Sequence, residues 1–295
     1  MKNKSLLGSL LLILTAMIWG TAFVFQRVGM DSIEPITFNA ARMALAAVAV
    51  GLLALPRVKS LPGAQARKST LLGGLCCGGC LAAASICQQT GLVYTTAGKA
   101  GFITAMYMLL VPVIGFIFLK KKNGLPVWLA VGLGMVGMYL LCMTEGFRLT
   151  YGDALELLCA LLFALHILCC DHFAPRTDPV CLSAVQFAAA TLLSSLAALL
   201  LEQPTWDKLV SAAVPILFCG LLSGGLGYTL QIIAQRFTDP TVAALLMSLE
   251  SVFAAIAGAL LLHERLTVRE TVGCAVMFAA IVLVQLPGAK RKPVE

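Results

Sequence analysis

The sequence predicts an all-α integral membrane protein with ten transmembrane helices, arranged as two inverted five-helix repeats. Three observations support this fold class: the composition, the spacing of the charged residues, and an internal repeat. Hydrophobic residues make up 60% of the 295 residues and charged residues only 12%, whereas charged residues make up about a quarter of a soluble globular chain. This composition is typical of a protein embedded in a lipid bilayer.

Long apolar intervals separate the charged residues. A hydrocarbon core of roughly 30 Å needs about 20 apolar residues of helix, so each interval can hold one span. In chain order the predicted spans are residues 5–26, 35–55, 69–98, 100–119, 123–144, 154–172, 179–201, 209–235, 240–262 and 271–289. The first span is long, lacks a convincing small-x-small cleavage site and is followed by nine more spans, so we interpret it as a retained helix rather than a signal peptide. The connections are too short to form a soluble domain.

The two halves of the chain resemble each other in sequence. A shift of 146 residues places LLGGLCCGG (residues 71–79) on LFCGLLSGG (residues 217–225). The predicted boundary separates a repeat at residues 1–148 from a second at residues 149–295. Because five spans is an odd number, the second repeat enters the membrane in the opposite orientation to the first.

Each copy of this segment contains a GxxxG motif. In transmembrane helices, small residues at this spacing allow two backbones to approach closely. We therefore expect these glycines to pack helices together rather than to bind a ligand. They are Gly74, Gly78, Gly220 and Gly224.

Basic residues indicate the orientation. With a cytoplasmic N-terminus, the first half places nine basic residues inside and only Arg27 and Lys99 outside, as the positive-inside rule requires. In the second half, the basic residues are divided almost evenly between the two sides and barely indicate an orientation. We expect both termini in the cytoplasm of a cell-membrane protein, and Lys99 extending to the interface from the start of its span. The net charge of +7 is dispersed over short loops, so no nucleic-acid partner is expected.

The eleven cysteines all lie in predicted spans, where small polarizable side chains serve helix packing. The CxxC pair Cys77 and Cys80 has no second ligand pair, and His166 near Cys169 is interpreted as a packed or cavity-facing histidine. No metal site and no cofactor are expected. The sequence has no P-loop and no HExxH motif, so we do not expect an enzyme.

Glu250 interrupts the ninth predicted span. A charged side chain at a helix centre costs about 2.5–3.5 kcal/mol on insertion scales, so Glu250 must face protein or water. It has three possible roles: pairing with Arg42, the basic residue deep in the second span; a protonated buried carboxyl; or contact with a solute or coupling proton.

Other polar and aromatic side chains in the predicted spans are candidates for the same site. Each could bind a solute, and each could instead serve interhelical hydrogen bonding or packing. They are Trp19, Asn39, Gln88, Gln89, Tyr107, Tyr228 and Gln231, together with His166.

Three segments resemble one known group of proteins. They are AMIWGTAFV at residues 16–24, TTAGKAGFI at residues 95–103, and LESVFAAIAGALLLHERLTVRETVG at residues 249–273. Over nearly its whole length the chain is similar to an EamA-type permease of the drug/metabolite transporter superfamily. The resemblance implies ten helices, cytoplasmic termini, and export or exchange of amino acids, other metabolites or toxic compounds.

Together these patterns predict a secondary or facilitated transporter that exports or exchanges small metabolites, such as amino acids or related amphipathic solutes, by alternating access. The alternatives are a multidrug exporter, or a non-transporting membrane sensor that uses the same fold. The expected partners are a small-molecule solute and the lipid bilayer, with protons as a further candidate.

Overall fold

The computed structural model describes residues 2–95, 97–121, 123–143, 150–261 and 266–285. Within these ranges, ten helical spans are long and apolar enough to cross a membrane, which confirms the predicted number. In chain order they are Lys4–Met30, Pro35–Lys59, Gly63–Tyr94, Lys99–Ile117, Leu125–Cys142, Tyr151–Arg176, Pro179–Leu201, Ala213–Gln235, Pro240–Leu261 and Val268–Gln285. The predicted span ends at Thr144, Leu262 and Ala289, and the boundary after residue 148, lie outside the described residues.

Four spans depart from a regular α-helix, and the sixth does so by ending in a 3-10 turn, Ala174–Arg176. The fourth consists of Ala97–Thr104 and Tyr107–Ile117, and the ninth of Pro240–Met247 and Glu250–Leu261. The eighth contains a π-helical segment, Phe218–Tyr228, between Ala213–Leu217 and Thr229–Gln235. A short helix, Trp206–Ser211, precedes the eighth span.

Proline and acidic caps define where several spans begin. The second, seventh and ninth spans have a proline in their first turn, where a missing N–H costs nothing. Asp178 accepts the backbone N–H groups of Val180 and Cys181, both at 3.0 Å, and so caps the seventh span. Asp239 caps the ninth span in the same way.

The packing of the spans follows the internal repeat. The second span packs against the seventh, and the fifth packs against the tenth. Each of these pairs consists of the equivalent spans of the two repeats. The first span packs against the eighth and ninth, and the sixth, its counterpart, packs against the third and fourth. We call the first, eighth and ninth spans bundle A, and the third, fourth and sixth spans bundle B.

The GxxxG glycines lie where spans from the two repeats cross. A Cβ atom at Gly74 would lie 2.4 Å from the Val185 side chain, and one at Gly78 would lie 2.5 Å from the Gln186 carbonyl oxygen. In the other repeat, a Cβ at Gly220 would lie 2.8 Å from the Leu45 side chain. The third span therefore packs on the seventh as the eighth packs on the second.

Large apolar side chains cover the outside of the spans. Leu52, Leu199 and Leu260 are all exposed, as are many other leucines along the spans. Phe38, Met108, Leu182 and Leu246 are buried between helices. An apolar exterior of this kind faces lipid, and interhelical packing then depends on close van der Waals contact.

Two adjacent glycines of the third span provide a matched test of this packing. We expect Gly78→Ala to lower the free energy of unfolding of the detergent-solubilised protein by about 1–3 kcal/mol, because the added methyl overlaps the backbone of the seventh span. The melting temperature should fall accordingly. Gly79→Ala is the control, since a Cβ at Gly79 would meet nothing within 4 Å. Equal melting temperatures for the two variants, measured by tryptophan fluorescence, would contradict this packing.

Candidate functional site

A polar cavity lies at the middle of the membrane-spanning region. The centres of water molecules can occupy a volume of about 40 Å³ inside it. This volume holds about three waters. The lining side chains come from the first, second, third, fourth, sixth, eighth and ninth spans. They are Trp19, Phe23, Gln26, Arg42, Gln88, Tyr107, Phe163, His166, Ile167, Ser223, Tyr228, Gln231, Met247 and Glu250.

Glu250 lies where the two interrupted spans meet. It is the first residue of the second half of the ninth span, and Tyr107 is the first residue of the second half of the fourth. The Tyr107 hydroxyl donates a hydrogen bond of 3.0 Å to Oε1 of Glu250. Glu250 is only 7% exposed. This hydrogen bond joins bundle A to bundle B at the wall of the cavity.

The interruption of the ninth span has a local cause. The Ser248 hydroxyl donates to the Leu245 carbonyl oxygen at 2.7 Å, and a serine hydroxyl bonded back into its own helix favours a bend. The backbone then tightens, with Leu249 N–H donating to Leu246 and Ser251 N–H to Ser248, each three residues earlier. The helix restarts at Glu250.

Arg42 is held by neutral amides. Its Nε donates to Oδ1 of Asn39 and its Nη1 to Oε1 of Gln26, both at 3.0 Å. Among the described residues, no carboxylate oxygen lies within 4.0 Å of its guanidinium nitrogens. The ion pair between Arg42 and Glu250, one of the three roles considered for Glu250, is therefore not formed.

A second polar layer supports Arg42. Asn39 also donates to the Ser194 hydroxyl at 3.0 Å, and Gln89 donates to the same Gln26 oxygen as Arg42 does. Asn39 and Gln89 thus lie behind the cavity wall, whereas Gln88 lines it. Through Gln26 and Gln89, the first span of bundle A is bonded to the third span of bundle B.

A corresponding polar group lies toward the opposite membrane face. His166 Nε2 lies 2.9 Å from Oε1 of Gln186. Gln231 donates to Gln235 at 3.1 Å, and Gln235 donates to the Ile167 carbonyl oxygen at 3.0 Å. His166 lines the cavity, and no group of metal-binding side chains occurs in the part of the chain that the structure describes.

Aromatic side chains separate the two polar groups. The Trp19 and Tyr228 rings lie 4.6 Å apart between centroids, and Tyr228 also packs edge-on against His166 and Phe187. The Trp19 indole N–H donates to the Ser223 carbonyl oxygen at 3.1 Å, within the π-helical segment. Such segments are frequent at functional sites, since they redirect backbone groups. The cavity therefore has an apolar wall between two polar ends.

The sequence left several features of this site unassigned. Gln26 and Ser223 line the cavity, although neither stood out among the polar residues of the predicted spans. The expectation that Lys99 extends to the interface is wrong. Its Nζ lies 2.5 Å from Oδ2 of buried Asp153, and its side chain is only 12% exposed. The signal for this pair was Asp153 itself, an acid in the first turn of the sixth span.

Ion pairs and hydrogen bonds also connect the ends of the spans. Glu34, between the first two spans, pairs with Lys208 in the short helix before the eighth span, and this contact lowers the pKa of Glu34. Glu202 at the end of the seventh span accepts the N–H groups of Ile36 and Thr37. Arg57 pairs with Asp178 at 3.4 Å on the opposite face. Both faces of the second and seventh spans are therefore tied together.

Ten spans in two repeats around a cavity lined by polar and aromatic side chains form an architecture that is common among membrane transporters. The model of the EamA-like transporter family matches the chain twice, at residues 6–143 and 150–286. The chain therefore belongs to the EamA-like transporter family, which is a family of multi-pass membrane transporters.

Similar proteins agree with this assignment. A protein of Archaeoglobus fulgidus named "Uncharacterized transporter" is 30% identical over 96% of this chain and 87% of its own length. "Uncharacterized transporter YoaV" of Bacillus subtilis strain 168 is 23% identical over 98% of this chain and 99% of its own length. One solved crystal structure shares the fold, with a TM-score of 0.79 at 16% identity and 96% coverage of both chains.

The hydrogen bond between Tyr107 and Glu250 can be tested by removing one oxygen atom. We expect Tyr107→Phe to reduce solute counterflow in proteoliposomes about tenfold, since a hydrogen bond to a charged group contributes about 1.5–3 kcal/mol. Tyr94→Phe is the control, because Tyr94 is exposed and lies outside the cavity. Similar counterflow for both variants would show that the hydroxyl has no part in transport.

Proposed function

We propose that this protein is a secondary transporter that exports or exchanges small zwitterionic metabolites, amino acids above all, by alternating access. The observation that carries this proposal is the placement of Arg42 and Glu250. Both line the same cavity, they have opposite charges when ionised, and they do not pair with each other.

The environment of Arg42 favours an anionic group of the solute. A cation within a membrane span is costly unless it is paired or solvated. Among the described residues, the hydrogen-bond acceptors of Arg42 are the amide oxygens of Gln26 and Asn39, and its guanidinium lies 6.0 Å from the centre of the Phe38 ring. A carboxylate entering the cavity would supply the missing negative charge, and guanidinium groups bind carboxylates with two parallel hydrogen bonds. This supports a solute that carries a carboxylate.

The environment of Glu250 favours a cationic group on the same solute. Its described side-chain hydrogen bond uses one oxygen, Oε1, with Tyr107 as donor. The carboxyl lines the cavity and can accept hydrogen bonds from an ammonium group. Trp19 and Tyr228 lie between the polar ends and offer an apolar surface to a side chain. An α-amino acid has a carboxylate, an ammonium and a side chain within one small molecule.

This pattern of charges also separates the alternatives. A multidrug exporter of cationic compounds would use Glu250 and the aromatic rings, but Arg42 would repel its substrates. A sensor on the same fold would bind solute without flux. The buried arginine in the cavity therefore favours a zwitterion over a cationic drug.

The size of the cavity supports alternating access. Room for about three waters is too small for an amino acid, so the spans must move for a solute to enter. Two glutamine contacts join the bundles on opposite sides of the cavity: Gln89 to Gln26, and Gln235 to the Ile167 carbonyl oxygen. Gln89 and Gln235 are related by the same shift of 146 residues as the glycine motifs. Opening one contact while the other stays closed would expose the cavity to one side at a time.

A series of solutes with altered charge tests the two binding roles. Wild-type proteoliposomes should show counterflow of an amino acid and much less of its N-acetyl and carboxamide derivatives. We expect Arg42→Gln and Glu250→Gln each to reduce amino-acid counterflow roughly 10- to 100-fold. Arg42→Gln should lose the preference for the free carboxylate, and Glu250→Gln the preference for the free amine.

Gln88→Ala is a useful comparison, since it changes a cavity residue without changing charge. Equal selectivity in all variants would exclude the two charge-binding roles. Absence of counterflow for every solute, with solute binding retained, would favour the sensor.

The orientation is a further part of the proposal. We place both termini in the cytoplasm of a cell-membrane protein, because the first repeat has its basic residues at the span ends on the N-terminal side. Epitope tags at residue 1 and after residue 295 should be protected from antibody in intact cells, and a tag inserted within residues 144–149 should be accessible. Accessible terminal tags in intact cells would invert the assignment.

A further inference from the structure

A second buried carboxyl lies outside the cavity. Glu156 in the sixth span is 0% exposed. Its Oε2 accepts a hydrogen bond of 2.6 Å from the Thr104 hydroxyl, and within the described part of the chain its Oε1 has no hydrogen-bond partner. A Cβ atom at Gly91 would lie 2.7 Å from Oε1, so the third span packs directly on the carboxyl.

The position of Thr104 links this carboxyl to the cavity. Thr104 is the last residue of the first half of the fourth span, and Tyr107 is the first residue of the second half. Thr104 binds Glu156 of bundle B, whereas Tyr107 binds Glu250 of bundle A. The interrupted fourth span is thus hydrogen-bonded to a different buried acid on each side of its interruption.

We propose that Glu156 is a proton-binding residue that couples proton movement to solute transport through the fourth span. This inference rests on the proposed transport function and adds an ion to it. A carboxylate with a single hydroxyl donor is unfavourable in apolar surroundings, so the arrangement described here holds the neutral acid. A proton taken from water on one side forms the carboxyl O–H bond, and the same proton returns to water on the other side.

The surroundings of Glu156 fit a group that carries no charge in this state. Asp153, one turn earlier on the same span, is already paired with Lys99 and accepts a hydrogen bond from Thr95. Cys159 on the same span and Cys87 from the third span are the other titratable groups close to it. Among the described neighbours no cation therefore remains for a Glu156 carboxylate. Loss of the proton requires the third or fourth span to move and admit water or a donor.

The coupling role predicts a specific loss in the Glu156→Gln variant. Wild-type proteoliposomes should accumulate an amino acid when a pH gradient is imposed, to a level above that reached by counterflow alone. In Glu156→Gln the gradient-driven accumulation should fall at least tenfold, while counterflow stays within about threefold of wild type. Glu270→Gln is the control, because it removes a half-buried carboxylate that lies outside the cavity lining and whose described hydrogen bonds are to Thr267, at the start of the tenth span.

A direct measurement of the proton makes the inference testable without flux. Infrared difference spectra on solute binding should show a protonated carboxyl band in wild type that is absent in Glu156→Gln and shifted in Thr104→Val. The Thr104→Val variant removes only the hydroxyl donor, so the shift of its carboxyl band tests the proposal even if the Glu156→Gln variant does not fold.

The possible outcomes distinguish the two proposals. Counterflow without any response to the pH gradient would overturn the coupling role of Glu156 and leave the transport function intact. Gradient-driven accumulation equal to wild type in Glu156→Gln would do the same. Absence of counterflow in the wild type would overturn the transport function, and an unchanged carboxyl band in Glu156→Gln would independently overturn proton binding.

Discussion

The hydrogen bond between Tyr107 and Glu250 is the contact on which the rest of the site depends. It forms where the interrupted fourth and ninth spans meet, and it fixes the position of an acid that lipid would otherwise reject. This 3.0 Å contact is one of three described hydrogen-bond contacts between the two bundles, together with those of Gln89 and Gln235, and the bundles must move relative to each other if the protein alternates between two openings.

Duplication of a five-span unit explains why such a meeting point exists. The fourth and ninth spans are equivalent positions in the two repeats, and both restart after a two-residue interruption. The residues that follow the interruption differ, with tyrosine in one repeat and glutamate in the other. Inversion of the repeats brings these two positions together, and the sequence difference turns a symmetric crossing into a donor and an acceptor. The repeat symmetry places the two interruptions side by side, and the difference between Tyr107 and Glu250 provides a hydrogen-bond donor and an acceptor there.

The fold could be predicted from the sequence because it rests on patterns along the chain. The ten spans follow from the length of the apolar segments. The GxxxG spacing explains why the third span lies close to the seventh and the eighth close to the second. The interruptions could not be predicted, since neither Ala105-Met106 nor Ser248-Leu249 contains the proline or glycine that usually signals one. In the ninth span the interruption accompanies a serine hydroxyl bonded to the carbonyl oxygen three residues earlier, a contact that the residue type alone does not specify.

The partners of the buried charges were equally hidden. Pairing with Arg42 is one of the three roles that the sequence allows for Glu250, because opposite charges in a membrane attract strongly at low dielectric. In the structure Arg42 is instead bound by Gln26 and Asn39, and Glu250 by Tyr107. Neutral groups that solvate each charge separately keep both charges available for a third molecule, whereas an internal ion pair would have to be broken before a solute could bind. Under the proposed function, separate solvation of the two side chains is what leaves both available to a zwitterionic solute, and it requires more amide and hydroxyl side chains than a sealed ion pair would.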